Sequence, residues 1–283
     1  MEGTRVRNLE ERDTDDAIRL TDLEGWGYTH ADFRRLLDLS PKGCFVAERD
    51  GKVVGVLTTT SYDGLAFLGA VVVSPELRGK GIGKLMMLTA LDYLRTSGVR
   101  TVRLNAVIQA IPFYEALGFH GEYDVIRWTG AAVTGRSAGV RPVRIADLLA
   151  LTRLDAPLFG TERTNLLARL ANDFSESFFV YERSSRLQGY IVGNVEGDSC
   201  EIGPWVVRPP GTEVARNLLH VLVAATGVDE IALSGPAPNQ ELLSFVSQVG
   251  LTQAFRTLRM WWGENAFSGN PAGTWALAGL EKG

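Results

Sequence analysis

Apolar and polar residues alternate along the first half of the chain in short runs that end at glycine or proline. Between these runs the spacing changes to three and four residues. Residues 5–9 alternate like a strand, and Asp13 or Thr14 can cap a helix running to about residue 23. An irregular aromatic loop over 24–28 follows, and Thr29 caps a second helix over 31–39 with Phe33, Leu36 and Leu37 on one face. Strands are predicted over 43–49, 52–61 and 65–73, joined by the turn pairs Asp50-Gly51 and Asp63-Gly64. A long helix over 81–96 should bury Ile82, Leu85, Met86, Leu88, Thr89 and Leu91. A strand over 101–107, a short helix over 110–117 with Gly118 as its C-cap, and a strand over 119–128 complete this half.

Residues 129–142 are small, glycine-rich and aperiodic, and read as a linker. Beyond them the pattern returns. Phe45-Val46-Ala47-Glu48-Arg49 is echoed by Phe179-Val180-Tyr181-Glu182-Arg183, and Gly55 by Gly189. A strand over 199–207, a helix over 212–226, a strand over 229–234, a helix over 240–249 and a strand over 251–262 repeat the order of the first half. The expectation is a tandem of two related α/β domains, residues 1–128 and 143–283, each a mixed, mostly antiparallel sheet flanked by helices.

A length of 283 residues suits two domains, and 45% hydrophobic with 22% charged residues is ordinary for a globular chain. A net charge of −4 gives no basic field to attract nucleic acid. No apolar run approaches a membrane span, and residues 1–5 offer no apolar stretch for a secretory signal, so a cytoplasmic location is expected. Cys44 and Cys200 sit in strand-like segments and read as small buried hydrophobes. With His30, His120 and His220 they show no metal-ligand spacing, so no metal is expected.

The chemistry concentrates where Val71, Val72 and Val73 run through Ser74-Pro75 into Arg78, Gly79, Lys80, Gly81, Ile82, Gly83 and Lys84. Strand, glycine loop and helix N-terminus together form an anion site. Backbone N–H groups converge where no Cβ intervenes, and the helix adds its free N–H groups and positive dipole end. The nucleotide-triphosphatase loop is excluded because Leu85 follows Lys84 where a hydroxyl is required. The dinucleotide loop is excluded by the spacing Gly79, Gly81, Gly83 and by the strands that precede the helix. The pattern R-x-x-G-x-G at Arg78, Gly81 and Gly83 resembles the acyl-CoA pyrophosphate loop of the GNAT superfamily of N-acetyltransferases. Phe113-Tyr114-Glu115-Ala116-Leu117-Gly118-Phe119 is similar to that family's F-Y-x-x-x-G-F segment. The resemblance covers roughly residues 4–128.

It implies acetyl-CoA as co-substrate, with pyrophosphate on the amides of 78–84 and the pantetheine arm along Val71 to Val73. Tyr114 would be the general acid that protonates the leaving thiolate. Taken alone, Tyr114 reads as an amphipathic core residue. Asn105 is carried over as a cofactor-side group, with a strand-end polar residue as the equal alternative. The implied reaction moves the acetyl group by direct attack of a primary amine on a small molecule, amino acid or peptide. A CoA-binding sensor without turnover is the rival. No carboxylate lies on 65–73 or 101–107, so the base is unassigned among Asp22, Glu24, Asp63 or water. Trp26, Tyr28, Tyr62, Trp128 and Trp205 are candidates to line an acceptor cleft between the domains.

In the second half Glu213, Ala215 and Asn217 stand where Gly79, Gly81 and Gly83 stood, and Val246 replaces Tyr114. This resembles tandem GNAT proteins whose C-terminal copy is degenerate; that copy should bind no CoA and instead close the acceptor site. Every cofactor group precedes the linker, so residues 1–130 alone are expected to bind CoA. Neither nucleic acid nor membrane is an expected partner, and the chain would act as a monomer or homodimer.

Overall fold

The computed structural model of the chain describes residues 3–283. The first half contains β1 (Thr4–Asn8), α1 (Thr14–Asp22), α2 (His30–Leu39), β2 (Phe45–Arg49), β3 (Lys52–Ser61) and β4 (Leu65–Val73). It continues with α3 (Ile82–Thr96), β5 (Thr101–Val107), α4 (Ile111–Glu115) and β6 (His120–Ala131). The second half contains β7 (Val140–Pro142), α5 (Leu148–Phe159), α6 (Thr164–Asp173), β8 (Phe178–Arg183), β9 (Arg186–Glu196) and β10 (Ser199–Val207). It ends with α7 (Thr212–Thr226), β11 (Glu230–Pro236), α8 (Gln240–Gln248), β12 (Thr252–Gly263) and β13 (Thr274–Ala276). Asp50 and Gly51 both lie at positive φ, 51° and 75°, as a two-residue hairpin between right-twisted strands requires.

The duplication is visible in side-chain geometry. The Arg7 guanidinium donates to Asp13 (2.6 and 2.8 Å) and to Glu48 (2.8 Å). Residues 134 positions on (7 to 141, 13 to 147, 48 to 182) rebuild the same cluster: Arg141 donates to Asp147 (2.7 and 2.9 Å) and to Glu182 (2.8 Å). In both copies the arginine ties the first strand to the cap of the following helical turn and to the neighbouring strand.

The two halves exchange their last long strands. The sheet order is β1-β2-β3-β4-β5-β12-β6-β11-β10-β9-β8-β7, mostly antiparallel, with β13 added beside β10. β12 of the second half lies between β5 and β6, pairing from Thr257↔Val107 to Gly263↔Thr101. β6 of the first half pairs with β11, from Glu230↔Ala131 to Pro236↔Val125. Each exchanged strand carries core residues for its host. Met260 of β12 packs with Val102, Leu104 and Ala106 under α3, while Trp128 of β6 packs with Leu233, Leu242 and Phe245 under α7 and α8. Strands reach into the segment expected as a linker from both sides, β6 to Ala131 and β7 from Val140, and the sheet is continuous past it.

The remaining cores lie under α1 and α2 and under α5 and α6. Leu88, expected on the buried face of α3, is exposed. Cys44 and Cys200 are buried free thiols. Among the described residues no helix is long and apolar enough to cross a membrane, and no group of three His, Cys, Asp or Glu side chains could hold a metal.

Candidate active site

After β4 the chain makes a short 3₁₀ turn over Pro75–Leu77, then passes Gly79 (φ 73°) and Gly81 (φ 83°) into α3. Both glycines occupy the left-handed region, which an L side chain resists. Gly81 is the N-cap of α3, and the first bond of the helix runs from the Leu85 N–H to the Gly81 carbonyl at 3.0 Å. The N–H groups of Ile82, Gly83 and Lys84 are therefore left for a ligand. Cations surround the loop. Arg78 donates from Nε to the Val73 carbonyl (3.0 Å) and pairs with Glu24, and Lys80 donates to the Glu76 carbonyl (3.0 Å). Glu24, one of the three carboxylates considered for the base, is thus tied to the loop, while Asp22 and Asp63 are exposed.

Beside this loop the sheet opens. β4 and β5 run parallel and pair only from Leu65↔Thr101 to Phe67↔Arg103. At the point of divergence β4 carries a bulge: the register with β3 shifts between Val56↔Val72 and Thr58↔Gly69, and Ala70 stands at φ 47°. A non-glycine residue at positive φ costs energy and persists only where its surroundings impose it. The bulge turns the backbone of residues 70 and 71 out of the β3 ladder, at the side where β5 has moved away. Tyr114 of α4 is buried in the first core, with its ring packed edge-on between Phe113 (5.2 Å) and Phe119 (5.9 Å). Burial pushes its hydroxyl up to about 12, so it stays protonated at neutral pH.

Asn105 is on the opposite side of β5 from the α3 core. Its Oδ1 accepts from Arg259 Nε (3.3 Å), and its Nδ2 donates to the Leu280 carbonyl (2.6 Å). Its side chain thus joins a face that the second half covers. The segment after β13 crosses that face and folds into a tight turn. There Lys282 and Gly283 donate their N–H groups to the Gly279 carbonyl (3.2 and 3.0 Å). Glu281 lies directly on Gly69, where an added Cβ would stand 1.9 Å from its Cβ and 2.7 Å from its Cα. The Tyr62 hydroxyl donates to the Lys282 carbonyl (2.7 Å), and Arg163 donates to the Gly283 carbonyl (2.9 Å). The Lys282 ammonium pairs with the Glu281 carboxylate, both buried.

Two neighbouring groups register this charge pair. Burial, with the negative charges of Glu281 and Asp32, pushes the Tyr28 hydroxyl well above its ordinary value. Burial alone would raise the Asp32 carboxyl, but hydrogen bonds from Thr29 and the charges of Lys282 and Arg35 hold it below the usual carboxylate range. Tyr62 thus touches this segment directly, through its bond to the Lys282 carbonyl. Trp26 is on the surface at 39% exposure. Trp128 and Trp205 do not line a cleft: both are buried in the second core, Trp205 fully, with its ring against Phe245 (5.9 Å) and Trp275 (5.2 Å). Strand alternation turns them to the α7 and α8 side.

The second half holds the same architecture filled in. β10 and β11 pair from Ser199↔Glu230 to Ile202↔Leu233 and then diverge. β13 enters the gap, pairing Trp205↔Ala276, and the Leu277 N–H donates to the Ser234 carbonyl at 2.8 Å. At the head of α7 the Glu241 carboxylate accepts from the N–H groups of Gly211 (2.9 Å) and Thr212 (2.8 Å). A carboxylate of the chain itself thus sits where the first half leaves its helix N-terminus free.

Arg259, Glu281 and Arg163 reach the first-half site from distant sequence. A charged residue in an alternating strand reads as solvent-facing, and 280–283 has no periodicity, so neither signals its place.

Comparison with known proteins agrees with this architecture. The Acetyltransferase (GNAT) family matches residues 6–119, and an Acetyltransferase (GNAT) domain matches residues 151–273. The uncharacterized N-acetyltransferase YitH of Bacillus subtilis is 24% identical over 76% of this chain and 77% of its own length. The holothin acyltransferase of a Pseudoalteromonas strain is 22% identical over 92% of this chain and 88% of its own length. A solved protein from Pyrococcus horikoshii shares the fold, with a TM-score of 0.84 at 21% identity, covering 100% of this chain and 97% of that one. With a matching domain in each half, the chain belongs to the GNAT family of acetyltransferases and is a tandem of two GNAT domains.

Proposed function

We propose that the first half is an N-acetyltransferase that moves the acetyl group of acetyl-CoA to a primary amine, and that the second half is a cofactor-free copy covering the acceptor face. The observation that carries this reading is the contrast between the two openings. The gap between β10 and β11 is filled by β13, whereas β4 and β5 diverge beside a free helix N-terminus. Val71 to Val73 would pair with the pantetheine arm as a strand pairs with its neighbour. The amides of 78–84 would hold the pyrophosphate, and an amide freed by the Ala70 bulge would polarise the thioester carbonyl. The neutral amine attacks the carbonyl carbon and a tetrahedral intermediate forms; as it collapses the C–S bond breaks, Tyr114 gives its proton to the departing sulfur, and the proton lost by the nitrogen passes through water to restore the Tyr114 hydroxyl. The Lys282 ammonium beside Glu281 supports an amine acceptor, because this face already accommodates an ammonium with a carboxylate.

Thiol release from acetyl-CoA against a panel of primary amines tests the proposal, with Tyr114→Phe as the diagnostic variant. Loss of a general acid costs about 10²–10⁴-fold in rate, so kcat should fall in that range while acetyl-CoA affinity is unchanged. A fall below about threefold would remove Tyr114 from the mechanism. Binding of acetyl-CoA without thiol release for any amine would favour the sensor.

A further inference from the structure

Arg259 reaches the acceptor face on the exchanged strand β12, in register with Asn105. Its guanidinium lies over the rings of Phe67 (5.1 Å) and Tyr123 (5.3 Å). Nε donates to Asn105 Oδ1 (3.3 Å) and Nη1 to the Tyr123 hydroxyl (2.9 Å). The third nitrogen, Nη2, is buried and has no hydrogen-bond partner, and the residue is only 6% exposed. Two other buried arginines on this face are neutralised. Arg103 has Glu122 at 3.1 Å, and Arg163 has Asp155 at 2.8 and 2.9 Å. Among the described residues no carboxylate pairs with Arg259. A buried charge without a counterion is strongly unfavourable, and a guanidinium always carries its charge. A small cavity lined by Arg259, Tyr123, Phe159, Arg163 and Gly283 adjoins it. The other nitrogens of the guanidinium are held by neutral groups, so the site supplies one positive charge and few donors. That matches a carboxylate better than a phosphate dianion.

We infer that Arg259 binds the carboxylate of the acceptor, so that the amine substrates of this protein are amino-acid-like. The inference rests on the amine-transfer reading above and deepens it. Asn105 couples the two ends of the site, since it holds Arg259 through Oδ1 and the 280–283 segment through Nδ2. Because the adjoining cavity, about 10 Å³, holds no more than a water, an incoming carboxylate would engage Nη2 by displacing residues 280–283 from above it.

The test is calorimetry of the full-length protein with CoA present, using N-acetyl derivatives of the twenty amino acids, their carboxamides, and phosphoethanolamine as probes. At least one N-acetyl amino acid should bind tenfold or more tightly than its carboxamide. Arg259→Met should abolish that preference, Arg259→Lys should retain part of it, and CoA affinity should stay within twofold. Arg259→Met should also melt no lower than wild type, because it removes an uncompensated buried charge at similar volume. A purely structural arginine would instead lower the melting temperature and leave any acid preference intact. Equal binding of every acid and amide, or tighter binding of phosphoethanolamine than of any carboxylate, overturns the inference. Failure to bind CoA refutes the proposed function itself, so the two failures are distinguishable.

Discussion

Gly69→Ala should detach residues 280–283 from the sheet face they cover while leaving the glycine loop intact. Gly69 borders the bulge at Ala70 but does not itself have a positive φ, so its backbone accepts alanine. The new methyl would stand 1.9 Å from the Glu281 Cβ and 2.7 Å from its backbone Cα. Carbon atoms pack at about 3.5–4.0 Å, so Glu281 must retreat by roughly 1.5–2 Å. Three hydrogen bonds from the sheet face and α6 cap hold this segment: Asn105 to Leu280 (2.6 Å), Tyr62 to Lys282 (2.7 Å) and Arg163 to Gly283 (2.9 Å). A displacement of that size takes all three beyond bonding range. At about 1 kcal/mol for each neutral bond and about 2 for the charge-assisted one, the loss is about 4 kcal/mol. That corresponds to roughly a thousandfold in the equilibrium between docked and free segment. Hydrogen exchange by mass spectrometry reads it directly: the amides of Ala278, Lys282 and Gly283, each bonded inside the turn, should lose protection by about that factor. Peptides from α3 should be unchanged. Wild-type protection of the C-terminal peptide in a folded Gly69→Ala protein would refute the packing described here.

Residues 1–131 expressed alone should fail to form a folded monomer, because β12 is missing between β5 and β6 and Met260 leaves the first core; circular dichroism and gel filtration decide this. A monomeric fragment that binds acetyl-CoA would contradict it. Asp155→Ala should cost about 3–5 kcal/mol in urea unfolding, since it strands the buried Arg163 charge, and a loss below about 1 kcal/mol would count against that role. Glu213→Gly should create no second cofactor site, because β13 and Glu241 still occupy the second-half opening; a second equivalent in an acetyl-CoA titration would say otherwise.

The strands and helix that build the cofactor side were legible because their boundaries are local chemistry. Strands β3, β4 and β5 have the predicted bounds, the first two set off by the turns Asp50-Gly51 and Asp63-Gly64, and α3 begins at the glycine loop. The strand exchange was not legible. Alternation specifies which face of β6 or β12 is apolar, and both sheets offer an apolar face, so the choice of partner is tertiary. The consequence is that residues 1–130, which contain every predicted cofactor group, lack one strand of their own sheet. Helices α5 and α6 do have a local signal, the Asp147 cap followed by Leu148, Leu151 and Leu154, then Leu166, Leu167 and Leu170 at helical spacing. The face covered by residues 280–283 had no such signal. Arg259 and Glu281 are single charged residues whose burial depends on contacts with Asn105, Tyr123 and Gly69, more than a hundred positions away. Trp205, a candidate for the cleft, is instead buried in the second core, and β13 fills the opening beside it.

The central claim is that one half of this duplicated fold retains a cofactor site and the other has closed its own. Calorimetric titration of the full-length protein with acetyl-CoA tests it most directly. One equivalent should bind per chain, and none in Gly81→Glu with an unchanged circular dichroism spectrum, because a side chain and a negative charge then enter the loop at a left-handed position. Two equivalents in wild type, none in wild type, or undiminished binding in a folded Gly81→Glu protein would contradict it.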